Sequence, residues 1–143
     1  MKLVVFCLFA VCCTSLASTT ANRKFERKLQ EILRLVDTVK KQQHTKLDLH
    51  TPPQNIEDCC CLSALKCFQA NMGVHFNISE KYQGKLYSSL NHTLTVNGLT
   101  LNNSRNTECT CGDCDLHPKT NATVFFSRLR TFIEKGLTRL GTV

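Results

Sequence analysis

The sequence has 143 residues, no tryptophan and three prolines, and no internal stretch approaches the ~20 apolar residues of a membrane span. Those gaps exclude a multi-pass membrane protein, and the length excludes a large multidomain enzyme. A phosphate loop is also missing. The histidines His44, His50, His75, His92 and His117 fall in or beside expected linkers, and no nucleophile motif accompanies them. The chain is therefore not expected to be an enzyme, to carry a cofactor or metal, to bind nucleic acid or to insert into a membrane. What it does have is a 42% apolar share, 10 cysteines, and 18 Lys plus Arg against 11 Asp plus Glu. That is enough apolar side chain for one ordinary core.

Lys2 precedes the apolar run from Leu3 to Val11, and Ser15 and Ala17 supply the small residues of a cleavage site. Residues 1–17 read as a secretory signal peptide cut after Ala17, leaving one domain over 18–143. The expected location is extracellular. Removing the leader leaves 17 basic and 11 acidic residues, a charge of +6, and the cysteines Cys59, Cys60, Cys61, Cys67, Cys109, Cys111 and Cys114. Disulfides are their default state outside the cell, and an odd number leaves one thiol over, able to cap a small thiol or link two chains. Sequons at Asn77, Asn91, Asn102 and Asn121 agree with export as a glycoprotein.

Phe25, Leu29, Ile32, Val36 and Val39 recur at helical spacing, so 24–43 is an amphipathic helix with a mostly basic outer face. The linker 44–54 contains Thr51-Pro52-Pro53, through which a helix cannot continue. A second helix is expected from an N-cap at Asn55, with Cys61, Leu65, Phe68 and Met72 on one stripe and Gly73 at its end. Asn77 followed by Glu80 predicts the cap of a third, weaker helix to about His92. Leu94 to Leu101, alternating around Asn97-Gly98, reads either as a hairpin or as more of that helix. The last helix spans about Asn121 to Leu140.

Four amphipathic helices predict an all-α short-chain four-helix bundle. The first helix is about 30 Å long, and an extended 11-residue linker reaches roughly 36 Å, so two lengthwise crossovers and an up-up-down-down order are allowed. Cys60 and Cys67 lie two helical turns apart, and Cys111-Gly-Asp-Cys114 spans a similar ~10 Å when extended. Cys60 can therefore bridge to Cys111 and Cys67 to Cys114 in register, stapling the third connection to the second helix. Cys109 is then free to pair with either Cys59 or Cys61.

Three rival readings are weaker. Cys111-Gly-Asp-Cys114 fits the dithiol oxidoreductase formula but lacks the expected βαβ neighbours. Zinc binding competes with disulfides in an oxidising compartment. A chemokine or cationic host-defence protein would place its adjacent cysteines near the mature N-terminus, not behind a full helix.

Cys60-x6-Cys67-Phe68-Gln69, then Cys111-x2-Cys114, then a Phe-rich terminal helix resembles the interleukin-2, interleukin-15 and interleukin-21 family of short-chain four-helix cytokines. Leu35-Val36-Asp37, Lys40, the Pro-containing linker and Ser63-Ala64 are most similar to the interleukin-21 branch. The resemblance implies a first helix that meets a private receptor chain, like that of interleukin-21, through Arg27, Lys28, Glu31, Arg34 and Asp37. It implies a last helix that meets the common cytokine-receptor gamma chain through Glu134, where the family has glutamine, and Leu137. JAK/STAT signalling in lymphocytes would follow; the interleukin-2 or interleukin-15 alternative would use the shared beta chain. Heparan sulfate is a further compatible partner for Lys24, Arg27, Lys28, Lys40 and Lys41.

Overall fold

The computed structural model describes residues 22–42, 46–101 and 109–141. The expected leader and the Asn102 sequon lie outside these residues. The protein is mostly helical, with one small antiparallel sheet. Helix α1 spans 22–40, followed by strand β1 (Asp48–His50), a 3₁₀ turn at Asp58–Cys60 and helix α2 (Cys61–His75). Helices α3 (Lys81–Leu90) and α4 (Thr93–Thr100) come next, then a 3₁₀ turn at Cys114–Leu116, strand β2 (Lys119–Asn121) and helix α5 (Ala122–Gly141).

The periodic apolar residues drive the assembly. Leu29, Ile32, Val36 and Val39 of α1 are completely buried, as are Phe68 and Met72 of α2, Leu86 of α3, and Phe125, Leu129 and Ile133 of α5. Each such side chain contributes about 1.5–3 kcal/mol by leaving water. The phenylalanines pack edge to face: Phe68 on Phe125 at 5.4 Å between ring centroids, and Phe76 on Phe126 at 5.3 Å. These geometries match the quadrupoles of the rings.

The strands lie one in each long connection and pair with Leu49 opposite Thr120, so the two connections run side by side. Leu49 is fully buried below them. Thr51, also buried, donates its hydroxyl to the Leu49 carbonyl (2.9 Å) and lies 2.6 Å from the Thr120 hydroxyl. Asn71 ties the sheet to α2. Its carbonyl oxygen accepts from the His50 amide (3.1 Å), while its amide nitrogen donates to the Cys67 carbonyl (3.0 Å) and approaches the Cys114 sulfur (3.2 Å). A buried asparagine satisfied on both ends in this way fixes the strand's register against the helix.

Several boundaries differ from the sequence expectation. Asn55 is exposed and caps nothing; α2 starts at Cys61, because 52–58 runs along α5 instead of coiling. Gly73 lies inside α2, which continues to His75. The cap of α3 is Glu80, whose carboxylate accepts from the Tyr82 and Gln83 amides, whereas Asn77 closes a turn by accepting from the Ser79 amide at 3.1 Å. The segment after His92 is neither a hairpin nor a continuation of α3. It is a separate helix, capped by the His92 ring accepting from the Leu94 amide (3.1 Å) and locked by the Thr95 hydroxyl on the Ser89 carbonyl (2.6 Å). Gly98, expected at a turn, is a close-approach site: a Cβ there would lie 3.1 Å from Cβ of Phe25. At the last helix the expected start holds, since Asn121 accepts from the Val124 amide at 2.9 Å.

Candidate functional site

Helix α1 presents three sides besides its buried one. The outermost carries Arg23, Lys24, Arg27 and Arg34, with Lys41 in the turn that directly follows the helix, all exposed. Lys28 turns off this face towards α3: its side chain is only 12% exposed, and its ammonium lies 3.3 Å from Glu31 and 3.4 Å from the Ser89 hydroxyl. The opposite side borders α5, where Lys40 donates to the Ser127 hydroxyl (3.0 Å) and Asp37 pairs with Arg130. Of the five α1 residues singled out in the sequence, Arg27, Glu31 and Arg34 thus share the outer face, while Lys28 and Asp37 flank it on opposite sides.

Arg130 also holds Glu134, with Nε 2.8 Å from the carboxylate, one turn along α5. Asp37 and Glu134, expected on two separate faces, therefore belong to one exposed three-residue network centred on Arg130. One guanidinium offers five donors in a fixed fork, so it can serve both carboxylates. Sequence reasoning missed Arg130; its only local signal was the i, i+4 spacing to Glu134. Leu137 is half-buried and packs against the core rather than standing free.

A second row of α5 cations has a structural task. Arg128 donates to the Pro52 carbonyl (3.1 Å), Lys135 to the Gln54 carbonyl (2.9 Å), and Arg139 pairs with Asp58 at 2.7 Å. Residues 128, 135 and 139 lie along one row of the helix, so they fasten the extended linker along its length. The proline-containing segment has few backbone donors of its own, and its carbonyls are satisfied by these side chains.

Three disulfides join the second group of cysteines to the first: Cys59 to Cys109, Cys60 to Cys111 and Cys67 to Cys114, with Cα–Cα distances of 6.0, 5.6 and 5.3 Å. The order along one strand follows the order along the other, making a ladder. Cys111 and Cys114 are bonded to different partners and not to each other. Glu57, Cys59, Cys60 and Cys109 also cluster with ligand atoms within 4.8 Å, but the three sulfurs are engaged in bridges. Among the described residues the remaining cysteine is Cys61. It is 1% exposed, lies 3.4 Å from the Arg139 guanidinium, and lines a cavity of about 380 Å³ with Phe132, Lys135 and Thr138. Linking two chains through it would require this region to open.

The sequon residues Asn77, Asn91 and Asn121 are exposed. At Asn77 and Asn121 the side-chain oxygen is used by the fold, which leaves the amide nitrogen, the atom that carries a glycan, directed away from those bonds. Among the described residues no helix is long and apolar enough to cross a membrane. A scan against protein-family models finds no match, and no curated protein matches the chain.

Proposed function

We propose that this chain is a secreted, glycosylated four-helix cytokine that resembles interleukin-21 and works by holding two receptor chains together. The observation that carries the reading is the disulfide ladder, which binds the last long connection to the start of α2. Pairing of β1 with β2 supports two lengthwise crossovers side by side, and hence an up-up-down-down bundle with α3 and α4 in the third position. The outer side of α1 would meet a private receptor chain like that of interleukin-21, through Arg27, Glu31 and Arg34. The α1–α5 edge, with Glu134, would meet the common cytokine-receptor gamma chain. Asp37 stands where the two contacts would join, and Arg130 is added to the residues concerned. The protein would do no chemistry of its own; activation of receptor-associated kinases and STAT proteins would follow from receptor proximity.

The test is binding of the secreted protein to ectodomains of the interleukin-21 receptor, the shared beta chain and the common gamma chain from the same species. Binding to the first and third is expected, with the private contact weakened by Asp37→Lys, which sets a cation against Arg130. Glu134→Gln should keep or strengthen gamma-chain binding, because it restores the family's amide and its donor. Preference for the shared beta chain would move the protein to the interleukin-2 and interleukin-15 branch. Binding to none of the three would overturn the cytokine reading.

A further inference from the structure

The basic side chains of α1 and α5 fall into two populations. Lys28, Lys40, Arg128, Arg130, Lys135 and Arg139 are each committed to a carboxylate, hydroxyl or carbonyl of the fold. Arg23, Lys24, Arg27, Arg34 and Lys41 are exposed, and among the described residues no side-chain partner holds any of them. Four of the five, at 23, 27, 34 and 41, recur at spacings of four and seven residues, which keeps them on one row of the helix. Eighteen residues separate the ends, five helical turns or about 27 Å. Lys24 stands beside the first of them.

Among the described residues, none of the three acidic residues of α1, Glu26, Glu31 and Asp37, forms an ion pair with this row. Glu31 shares the outer face but its carboxylate pairs with Lys28, Asp37 pairs with Arg130 on the α5 side, and Glu26 is half-buried. The row also has no exposed large hydrophobic residue: the described ones are Leu62, Val74, Ile78, Tyr82, Leu101 and Leu116, all outside α1. Beyond Arg27 and Arg34, which the proposed receptor contact shares, the row is extended by Arg23, Lys24 and Lys41 with no apolar or aromatic anchor of the kind that centres a protein interface. A straight row of unpaired cations without such an anchor suits a linear polyanion, whose binding is driven by release of its condensed counterions. Arg27 and Arg34 add bidentate donors for planar or tetrahedral oxyanions.

We propose that the outer row of α1, Arg23, Lys24, Arg27, Arg34 and Lys41, is a binding site for a sulfated polysaccharide of the heparan sulfate type lying parallel to the helix. Compared with the residues suggested by sequence alone, Lys28 and Lys40 leave the site and Arg23 and Arg34 enter it. The proposal shares the extracellular setting of the cytokine reading but not its receptors. Arg23, Lys24 and Lys41 lie outside the proposed receptor contacts, so substituting them separates the two.

The full secreted protein would be titrated against immobilised heparin over a range of salt concentrations, with the fold checked by circular dichroism. Arg23→Gln/Lys24→Gln/Lys41→Gln is expected to weaken binding roughly tenfold near physiological salt. The slope of log affinity against log salt should fall in magnitude by roughly 2–3. A control removing the same charge elsewhere, Lys66→Gln/Lys85→Gln/Lys119→Gln, is expected to weaken binding less than twofold. Equal losses in the two variants would reduce the effect to net charge and overturn the proposal. So would equal binding to desulfated heparin, or stronger binding to poly-glutamate, which would assign the row to an acidic protein. Heparin binding through this row without binding to any receptor ectodomain would remove the cytokine reading and leave this one standing.

Discussion

The three rungs of the disulfide ladder should contribute unequally to stability, although their sequence separations of 50, 51 and 47 residues are nearly the same. Taken alone, each would close a loop worth about 4 kcal/mol in the chain-entropy model. They are not alone. With Cys60–Cys111 in place, Cys67–Cys114 closes only the short segments 60–67 and 111–114, about ten residues, which the same model values at roughly 3 kcal/mol. Cys59–Cys109 adds a loop of about three residues and no more than roughly 1.6 kcal/mol. The inner rung also has packing to lose: Cys67 is buried, and the Asn71 amide would lose the Cys114 sulfur, a further cost of about 1 kcal/mol. Cys67→Ala/Cys114→Ala is therefore expected to cost about 4 kcal/mol and Cys59→Ala/Cys109→Ala less than half of that. The difference, about 2.5 kcal/mol, corresponds to a gap of roughly 10 °C in Tm for a domain of this size. Urea and thermal unfolding followed by circular dichroism, on variants whose remaining bridges have been mapped under non-reducing conditions, measure it directly. Equal destabilisation by the two pairs would refute the nested-loop reasoning, and so would a larger cost at Cys59–Cys109.

Three further outcomes follow from particular contacts. Gly84→Ala, which helix propensity alone would favour by about 1 kcal/mol, should instead destabilise by about 1–2 kcal/mol in urea unfolding. A Cβ there would come within 2.2 Å of the Ile78 carbonyl oxygen, and a backbone atom cannot rotate away. Arg128→Ala/Lys135→Ala should leave the helices intact by circular dichroism but loosen the linker from α5, speeding protease cleavage within 52–58 several-fold; an unchanged digestion rate would mean that these two cations do not hold it. Cys61 should resist iodoacetamide in the native protein and react fully in denaturant, since its side chain is buried; rapid native labelling would contradict its placement.

The parts of the fold legible in the sequence were those set by one helix's own periodicity. The apolar rows of α1 and α5 are long enough for the 3.6-residue period to stand out, and α5 begins at Ala122, next to its expected start. The short helices were harder because their local signals support more than one structure. Leu94 to Leu101 alternates like a strand, yet Thr95, Gly98 and Leu99 also satisfy helical spacing and are the residues that α4 buries. Tertiary contact decides between the two: Gly98 lets α4 approach Phe25 of α1, and the His92 ring supplies the cap. The start of α2 was misplaced for a related reason. Asn55 is a good cap by type, but the cations that hold its neighbours in extended form are about 80 residues away in the sequence.

The charged surface shows the same limit from the other side. Sequence alone gives each helix a solvated face but not its rotation against its neighbours, and that rotation determines which charges are spent within the fold. Asp37 and Glu134 lie 97 residues apart in the sequence, and only the packing of α1 on α5 brings both to Arg130. The same packing accounts for Lys28 and Lys40, one on each side of α1, and leaves the outer row to solvent. The basic side chains of α1 and α5 are thus divided by geometry into cations that stabilise the fold and cations free for a partner. Adding salt should screen the exposed outer row most strongly, since it has no partner in the fold, whereas the linker clamp also rests on short hydrogen bonds to carbonyls. Ionic strength that strips a polyanion from α1 is therefore expected to leave the helices and the linker folded.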